Sequence, residues 1–455
     1  MRIRKADSDM TSGPIWKQIL AFSVPTMIGM LFQQLYNTVD AVIVGHFVGD
    51  AALAAVGSTG SIINMMVCLG TGLSAGAGIA ISQHYGARDE EKLRSAVHTA
   101  FTIILILSVI LTIVGSLLVT PMLHLMKTPD DVMPEASTYL QIYFYGITGL
   151  LIYNIGSGVL RAVGDSRRPL FFLIFSAVIN TVGDLIFVIF FDMGVAGVAI
   201  ATLIAQALSA VLVIVVLMRT DAAYGLRLKH IGIQLDMLKS IVALGLPSSI
   251  QMVITSFSNV FVQSYINVFE KECMAGWTAY NKIDAFILLP LQGIAMATAT
   301  FVGQNYGAKQ LKRAREGVRF CLWSSFGITV VLIAAVMIFQ RPLLGLFNLE
   351  DVSLEYGMKF VTLITPFYVT VCFNQVYASA MRGVGSVKTP MVIMLSSFVL
   401  FRQLFLFVNS LLGGSFIGTA LAYPAGWVMA SILITIAYHR SKRLRDLPVP
   451  AETAA

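Results

Sequence analysis

Two acids inside long apolar segments are the residues best suited to chemistry. In the first segment, Asp40 shares one helical stripe with Gln33 and Asn37. In the fifth segment, Asp184 lies one helical turn after Asn180. Because an ionisable group at membrane depth is costly, each such acid is a candidate for function by default.

The distances of these residues from the segment ends predict that they meet. Asp40, Asp184 and Thr202 of the sixth segment lie at a similar depth below the same membrane face. Two carboxylates, an amide and a hydroxyl would form an oxygen-rich pocket that suits a hard cation, and the carboxylates could instead take up protons. The sequence thus predicts a site for H+ or Na+. It consists of Asp40, Asn180, Asp184 and Thr202.

This interpretation has an alternative in which neither acid binds a cation. Asp40 would then be a solvated residue near the interface, and Asp184 would make an isolated polar contact. Two like-charged carboxylates cannot both stay ionised side by side without a counterion. Two acids at matched depth therefore favour the cation site.

A second group of charged residues lies in the other half of the chain. Lys282 and Asp284 are in the eighth segment, and Arg402 is in the eleventh. An arginine at membrane depth needs a partner, and Asp284 is the acid at a suitable depth. We therefore predict a structural Asp284–Arg402 pair with Lys282 nearby, and a second ion-coupling site is the alternative.

Further polar side chains at helical spacing are candidates for lining a substrate cavity. Such residues serve as often as hydrogen-bonding contacts between helices, so both roles stay open. The candidates are Gln33, Gln34, Asn37, Asn154, Gln206, Gln251, Asn259, Asn374 and Gln375. Pro25 and Pro247, at matched positions in the first and seventh segments, are each expected to bend a helix because proline removes a backbone donor.

The segments that carry these residues are typical of membrane-spanning helices. Hydrophobic residues make up 57% of the 455 residues and charged residues 12%, against roughly 25% charged in soluble domains. Apolar runs long enough to cross a hydrocarbon core of ~30 Å recur along the chain. They lie at about 15–44, 51–80, 95–120, 135–160, 168–191, 195–218, 239–268, 275–301, 316–340, 357–381, 391–412 and 416–438.

The chain contains two copies of one unit. QHYGAR at 83–88 matches QNYGAK at 304–309, and LRAVGDSRRP at 160–169 matches MRGVGSVKTP at 381–390 at the same offset. Six segments per copy make the copies parallel. We predict an all-α integral membrane protein, with twelve transmembrane helices in two six-helix lobes around a central cleft. The predicted parts are an N-terminus (1–14), an N-lobe (15–218), a linker (219–238), a C-lobe (239–440) and a tail (441–455).

The copies differ at the acids. In the second copy, Val262 stands where Asp40 is expected and Phe405 stands where Asp184 is expected. The lobes are therefore predicted to share a scaffold while the N-lobe alone couples to an ion.

Positive charge predicts the orientation of the segments. Of the 31 Lys and Arg residues, 25 fall on the face that holds both termini, and four fall on the opposite face. This bias places both termini in the cytoplasm of a multi-pass protein of the inner (plasma) membrane. Because the charges are spread over seven stretches, they do not indicate nucleic-acid binding.

Several classes of chemistry have no support in the sequence. The four cysteines show no paired spacing and the six histidines form no H-x-x-x-H pair, so no metal site is expected beyond a possible Na+. No nucleophile elbow or phosphate-binding loop occurs in a suitable context. We therefore expect no enzyme activity and no cofactor.

Taken together, the two six-helix copies, the first helix with Pro25 and Asp40, and the QHYGAR and RAVGDSRRP motifs resemble the multidrug and toxic compound extrusion (MATE) transporters. The acids of the first and fifth helices, with Asn180 and Thr202, look like the DinF/MepA-type branch, in which an N-lobe acid cluster binds H+ or Na+. The NorM-type branch has acids in the seventh and tenth helices, where this chain offers only amides, Asn374 among them.

The resemblance implies an antiporter driven by a cation gradient. Such a protein exports organic, often cationic amphipathic compounds by alternating access, without ATP, and we expect a monomer. A lipid-linked oligosaccharide flippase of the same superfamily is the alternative. It should hold several basic residues in its cavity, whereas Lys282 and Arg402 are the two that lie well inside helices here.

Overall fold

The computed structural model describes residues 9–126, 128–347 and 350–445, and these residues form helices and loops without a β-strand. They contain twelve helical spans that are long and apolar enough to cross a membrane, as predicted. The first six spans are built on α1 (Ile15–Ile43), α2 (Asp50–Gly86), α3 (Glu90–Leu125), α4 (Met133–Ala162), α5 (Arg167–Leu185) and α6 (Gly194–Arg219).

The second copy uses more helical pieces for its six spans. Its helices are α7 (Leu235–Ile266), α8 (Lys271–Gly307), α9 (Leu311–Gly345), α10 (Asp351–Ile364), α11 (Tyr368–Gly383), α12 (Lys388–Leu395), α13 (Arg402–Leu411) and α14 (Phe416–Arg440), followed by α15 (Lys442–Arg445). A 3-10 turn, Thr365–Phe367, joins α10 to α11 within one span. A π-helical segment, Ser396–Phe401, joins α12 to α13 in another.

Some predicted parts lie outside the described residues. These are residues 1–8 of the predicted N-terminus, Lys127 of the N-lobe, residues 348–349 of the C-lobe and residues 446–455 of the predicted tail. The predicted linker is shorter in the structure, because α6 ends at Arg219 and α7 begins at Leu235.

One face of α3 shows why these helices need a membrane. Ile106, Ile110, Ile113 and Leu117 follow one another at spacings of three and four residues and are all exposed. The span has a mean hydropathy of 2.8 in its most apolar window. A continuous apolar stripe of this kind is stable against lipid and not against water.

Compact packing divides the chain inside two helices, not in the predicted linker. Of the described residues, one compact unit holds 28–249, and the other holds 10–27 and 250–445. The first unit therefore includes the amino-terminal half of α7, and the second includes the amino-terminal half of α1.

The core of each unit incorporates its exchanged half-helix. Ile241 of α7 is buried in the core of the first unit, and Phe22 of α1 is buried in the core of the second. Each division point lies two residues after the proline of the helix, Pro25 in α1 and Pro247 in α7. The two copies thus exchange equivalent pieces at equivalent positions.

The backbone confirms the internal repeat. Arg88 and Lys309, the last residues of the matched QHYGAR and QNYGAK motifs, have positive φ angles of 56° and 59°. Gly164 and Gly385 of the second pair of motifs have φ angles of 93° and 79°. Since few non-glycine residues adopt positive φ, the same turn at equivalent positions shows that the two copies share one local structure.

Candidate functional site

The two acids of the first copy lie against each other. Asp184 on α5 is 0% exposed and Asp40 on α1 is half-buried. Their carboxyl groups are within hydrogen-bonding range of each other. An ionised carboxylate can only accept hydrogen bonds, so direct contact between two of them requires a shared proton or a bound cation.

The protein around the acids supplies few donors. Among the described residues, no group donates a hydrogen bond to either carboxyl oxygen of Asp184 or to Oδ1 of Asp40. Asn180 Nδ2 donates to Thr202 Oγ1 at 3.2 Å, while the buried Asn180 Oδ1 likewise has no donor in this part of the structure. The site is therefore rich in acceptor oxygens, which is the composition that H+ or a hard cation requires.

Close packing between α5 and α6 brings Asn180 to Thr202. A Cβ atom at Gly183 would meet the Cβ of Ala201 at 3.0 Å, so the glycine allows the helices to approach. One turn below Asn180, Ser176 Oγ donates to the carbonyl of Ala205 at 3.1 Å. The two polar contacts and the small residues form a continuous seam that fixes the position of Asp184.

Three tyrosines extend the acid cluster, and the sequence analysis did not select them. Tyr36 and Tyr139 lie within electrostatic range of both acids, and Tyr143 is hydrogen-bonded to Gln206. Helical spacing could have indicated them, because Tyr36 precedes Asp40 by one turn and Tyr139 precedes Tyr143 by one turn on α4. Phenol groups are both donors and acceptors, so they can solvate an acid pair in either protonation state.

A π-helical segment follows each acid. Val44–Val48 extends α1 just after Asp40, and Ile186–Phe190 extends α5 just after Asp184. Such segments widen the helix by one residue per turn and occur often at functional sites.

The remaining polar candidates of the first copy differ in exposure and in contacts. Gln33 and Asn37 are exposed on α1, and Gln34 and Asn154 are half-buried. Gln206 is linked to the cluster through Tyr143.

The two prolines lie in uninterrupted helices. Next to Pro25, Thr26 Oγ1 donates to the carbonyl of Phe22 at 2.8 Å. Close after Pro247, Ser249 Oγ contacts the carbonyl of Gly245 at 3.3 Å. Such hydroxyl-to-carbonyl bonds one turn back favour bending, so the predicted bends remain a prediction supported by matched local chemistry.

The predicted ion pair of the second copy is absent from the described residues, and this corrects the sequence analysis. Arg402 Nη2 instead donates to Ser258 Oγ at 3.0 Å and to Asn259 Oδ1 at 2.7 Å. Asp284 is hydrogen-bonded to Tyr280. The pairing failed because depth along a helix does not determine the face on which a side chain lies. Lys282 is exposed on α8.

Asp284 and Arg402 nevertheless line one cavity of about 270 Å³ in the second unit. Gln251, Asn259, Asn374 and Gln375 line it too, as predicted for cavity residues, although their role in binding is untested. Asn374 also has structural partners, since its amide donates to the Trp427 carbonyl at 3.2 Å and accepts from a serine hydroxyl.

The positions equivalent to the acids are apolar in this second copy. Val262 is 0% exposed, and Phe405 packs against the same core. The acid pair is therefore present in the first copy and absent from the equivalent positions of the second.

Comparisons with known proteins agree with this duplicated architecture. The MatE family model matches residues 25–186 and 247–408, the same stretch of each copy. A protein named "Probable multidrug resistance protein YoeA" from Bacillus subtilis (strain 168) is 28% identical over 430 residues, which are 92% of each chain. "Multidrug export protein MepA" from Staphylococcus aureus (strain NCTC 8325 / PS 47) is 22% identical over 77% of this chain and 78% of its own.

A solved structure shows the same fold. It is described as the outward-facing conformation of a multidrug resistance MATE family transporter of the MOP superfamily. The two chains are 24% identical with a TM-score of 0.91, and the match covers 97% of this chain and 99% of the other.

Proposed function

The chain belongs to the MatE family of multidrug efflux transporters, and from that membership we propose that it is a proton-coupled antiporter. It exports organic, often cationic amphipathic compounds across the plasma membrane by alternating access. Na+ is the alternative coupling ion. The single observation that carries the proposal is the contact between the carboxyl groups of Asp40 and Asp184.

A proton fits this contact better than a sodium ion. One shared proton suffices to hold together two carboxyl groups in direct hydrogen-bonding range, whereas Na+ would need several further oxygen ligands around it. When the proton leaves, the two like charges repel each other, which drives α1 away from α5. Because Asp40 lies on the part of α1 that follows Pro25, this repulsion supplies a force for bending the helix.

The proposed cycle uses this force to couple the two fluxes. A proton entering from outside closes the acid pair, and its release to the cytoplasm opens the pair again. The organic compound binds while the pair is open and leaves when the next proton closes it. Both termini are placed in the cytoplasm and the functional unit is a monomer in this proposal.

Gradient-driven export by the purified protein in liposomes tests the proposal. A pH gradient and a Na+ gradient are imposed separately while the movement of a cationic dye is followed. We expect export with the pH gradient alone, and a loss of at least about tenfold in Asp184→Asn and Asp40→Asn, because neither variant can hold two like charges in contact.

Asp192→Asn is the matched control. Asp192 is an exposed acid of the same lobe, and its φ of 50° is one that asparagine adopts readily. Export that depends on the Na+ gradient alone would establish the alternative ion. Undiminished export by both acid variants would reject the coupling role of the pair.

A further inference from the structure

The cavity of the second unit contains opposite charges that do not neutralise each other. Asp284 on α8 and Arg402 on α13 both line the 270 Å³ space, and no ion pair joins them among the described residues. The aromatic side chains of Trp277, Tyr423 and Trp427 form part of its wall. Amide side chains line much of the rest, so the cavity combines aromatic surface with many polar groups that could orient a small molecule.

Arg402 is held rigidly but is not saturated. The side chain is 4% exposed, and its guanidinium lies over the ring of Tyr423 at 4.8 Å from the centroid. Nη2 is occupied by the oxygens of Ser258 and Asn259, which carry no charge. Nε is buried and has no acceptor in the part of the chain that the structure describes. A buried guanidinium with a spare donor favours an anionic ligand such as a carboxylate.

Asp284 supplies the opposite charge at a separate point. Its carboxyl group is bonded to the Tyr280 hydroxyl, which itself lies 3.2 Å from the hydroxyl of Tyr368. This tyrosine pair leaves the carboxylate without a cationic partner among the described residues. A second arginine, Arg382, lines the cavity at the end of α11 and donates to Gln251 at 3.2 Å.

We propose that this cavity binds zwitterionic ring compounds, with the ligand carboxylate on Arg402, its ammonium group on Asp284 and its ring between the aromatic walls. A zwitterion pairs with both Arg402 and Asp284 and brings no net charge into the membrane, whereas a simple cation or anion pairs with one of them and is repelled by the other. The inference names a substrate class for the transporter proposed above. Transport of such compounds rests on that proposal, whereas their binding in the cavity does not.

Equilibrium binding to the full-length protein in nanodiscs, without any ion gradient, tests the inference. Three probes differ only in charge: 4-(aminomethyl)benzoate carries both charges, 4-methylbenzylamine carries the cation, and 4-methylbenzoate carries the anion. We expect calorimetry to show the zwitterion binding at least about tenfold more tightly than either other probe, as one additional charge-assisted contact implies.

Two substitutions assign the charges to their residues. Arg402→Gln should reduce the affinity for the zwitterion to that for the amine, and Asp284→Asn should reduce it to that for the carboxylate. Lys282→Gln is the matched control, because it removes a charge from the exposed face of α8, outside the cavity lining. Comparison of the three probes on the unaltered protein does not depend on whether a variant folds.

Equal affinity for the three probes would overturn the inference. So would a preference for the zwitterion that survives both substitutions. Either result could occur with gradient-driven export intact, in which case only the binding proposal falls. Conversely, loss of the proposed coupling would leave the preference among the probes unchanged.

Discussion

At the residue scale, the acid pair is a cluster of buried acceptors. Oδ1 of Asp40, both carboxyl oxygens of Asp184 and Oδ1 of Asn180 are buried without a donor among the described residues. Each unsatisfied buried polar atom costs about 1–3 kcal/mol. A proton or a cation bound at these oxygens would therefore stabilise the folded state. Cation binding is thereby linked to the conformation of α1 and α5.

Thr202→Val tests the polar support of this cluster. Valine keeps the size of the side chain but removes the acceptor of Asn180 Nδ2, 3.2 Å away. We expect the free energy of unfolding to fall by about 1 kcal/mol, and proton-driven export to fall several-fold, because the amide is no longer positioned beside Asp184. Unfolding by denaturant and liposome export measure the two effects.

Ser209→Ala is the control on the same seam. Its hydroxyl donates to the Phe172 carbonyl over 3.4 Å, a long bond two turns from Thr202. A small change in stability and unchanged export are expected. Equal export by both variants would mean that Asn180 and Thr202 only hold the helices together.

Residue type alone could select the acids but not their whole surroundings. Asp40 and Asp184 could be predicted because ionisable side chains inside apolar segments are rare. Residue type did not select Tyr36 and Tyr139, because tyrosine is ordinary in such helices; only their helical spacing could have indicated them. The predicted pairing of Asp284 with Arg402 was wrong because sequence spacing reports depth and not which neighbouring helix a face meets.

At the element scale, π-helical segments accompany the charged residues in both copies. Val44–Val48 and Ile186–Phe190 follow the acids, and Ser396–Phe401 comes directly before Arg402. Each one shifts the helical register, which turns the side chains beyond it by part of a turn. Hydrophobic periodicity cannot predict such segments, because the sequence in and around them is mostly apolar on every face of the helix.

Gly76→Ala tests how closely α2 packs on the amino-terminal half of α7. A methyl group on Gly76 would overlap the backbone nitrogen of Gly245, which cannot move without displacing the helix. We expect the free energy of unfolding to fall by about 1–3 kcal/mol, as overpacking does elsewhere. Thermal unfolding in detergent measures the loss.

Gly60→Ala provides the comparison within the same helix. Among the described residues, a Cβ atom at Gly60 would meet nothing within 4 Å, so the substitution should leave stability unchanged or raise it by up to about 1 kcal/mol through helix propensity. If both variants unfolded at the same temperature, the close approach of α2 and α7 would be contradicted.

The positions of the spans followed from the sequence, and their packing partners did not. Runs of apolar residues determine how many helices cross the membrane, since length and hydropathy suffice for that. The exchange of half-helices at Pro25 and Pro247 involves no change in composition, because residues on both sides of each proline are equally apolar. Only the contacts made in three dimensions distinguish the two halves.

At the scale of the whole molecule, one scaffold carries two different sites. The first unit holds two acids in contact, and the second holds an acid and an arginine apart in a cavity. Val262 and Phe405 stand at the positions of the second copy that are equivalent to Asp40 and Asp184. Both pack in an apolar core. The two copies therefore share a fold but carry different polar residues.

The orientation of the whole chain in the membrane is the remaining prediction. The ends of α3 distinguish the two faces, since the exposed acid Glu90 begins the helix and the exposed acid Asp131 lies in the loop after it. The face that holds Glu90 carries 25 of the 31 basic residues, which places it in the cytoplasm by the positive-inside rule.

In intact cells, a membrane-impermeant maleimide should therefore label Asp131→Cys at once and Glu90→Cys only after permeabilisation. The parent chain is the blank, because its four cysteines are all buried. The reverse labelling pattern would invert the direction of transport, because protons from outside would then meet Asp40 and Asp184 from the opposite end of their helices.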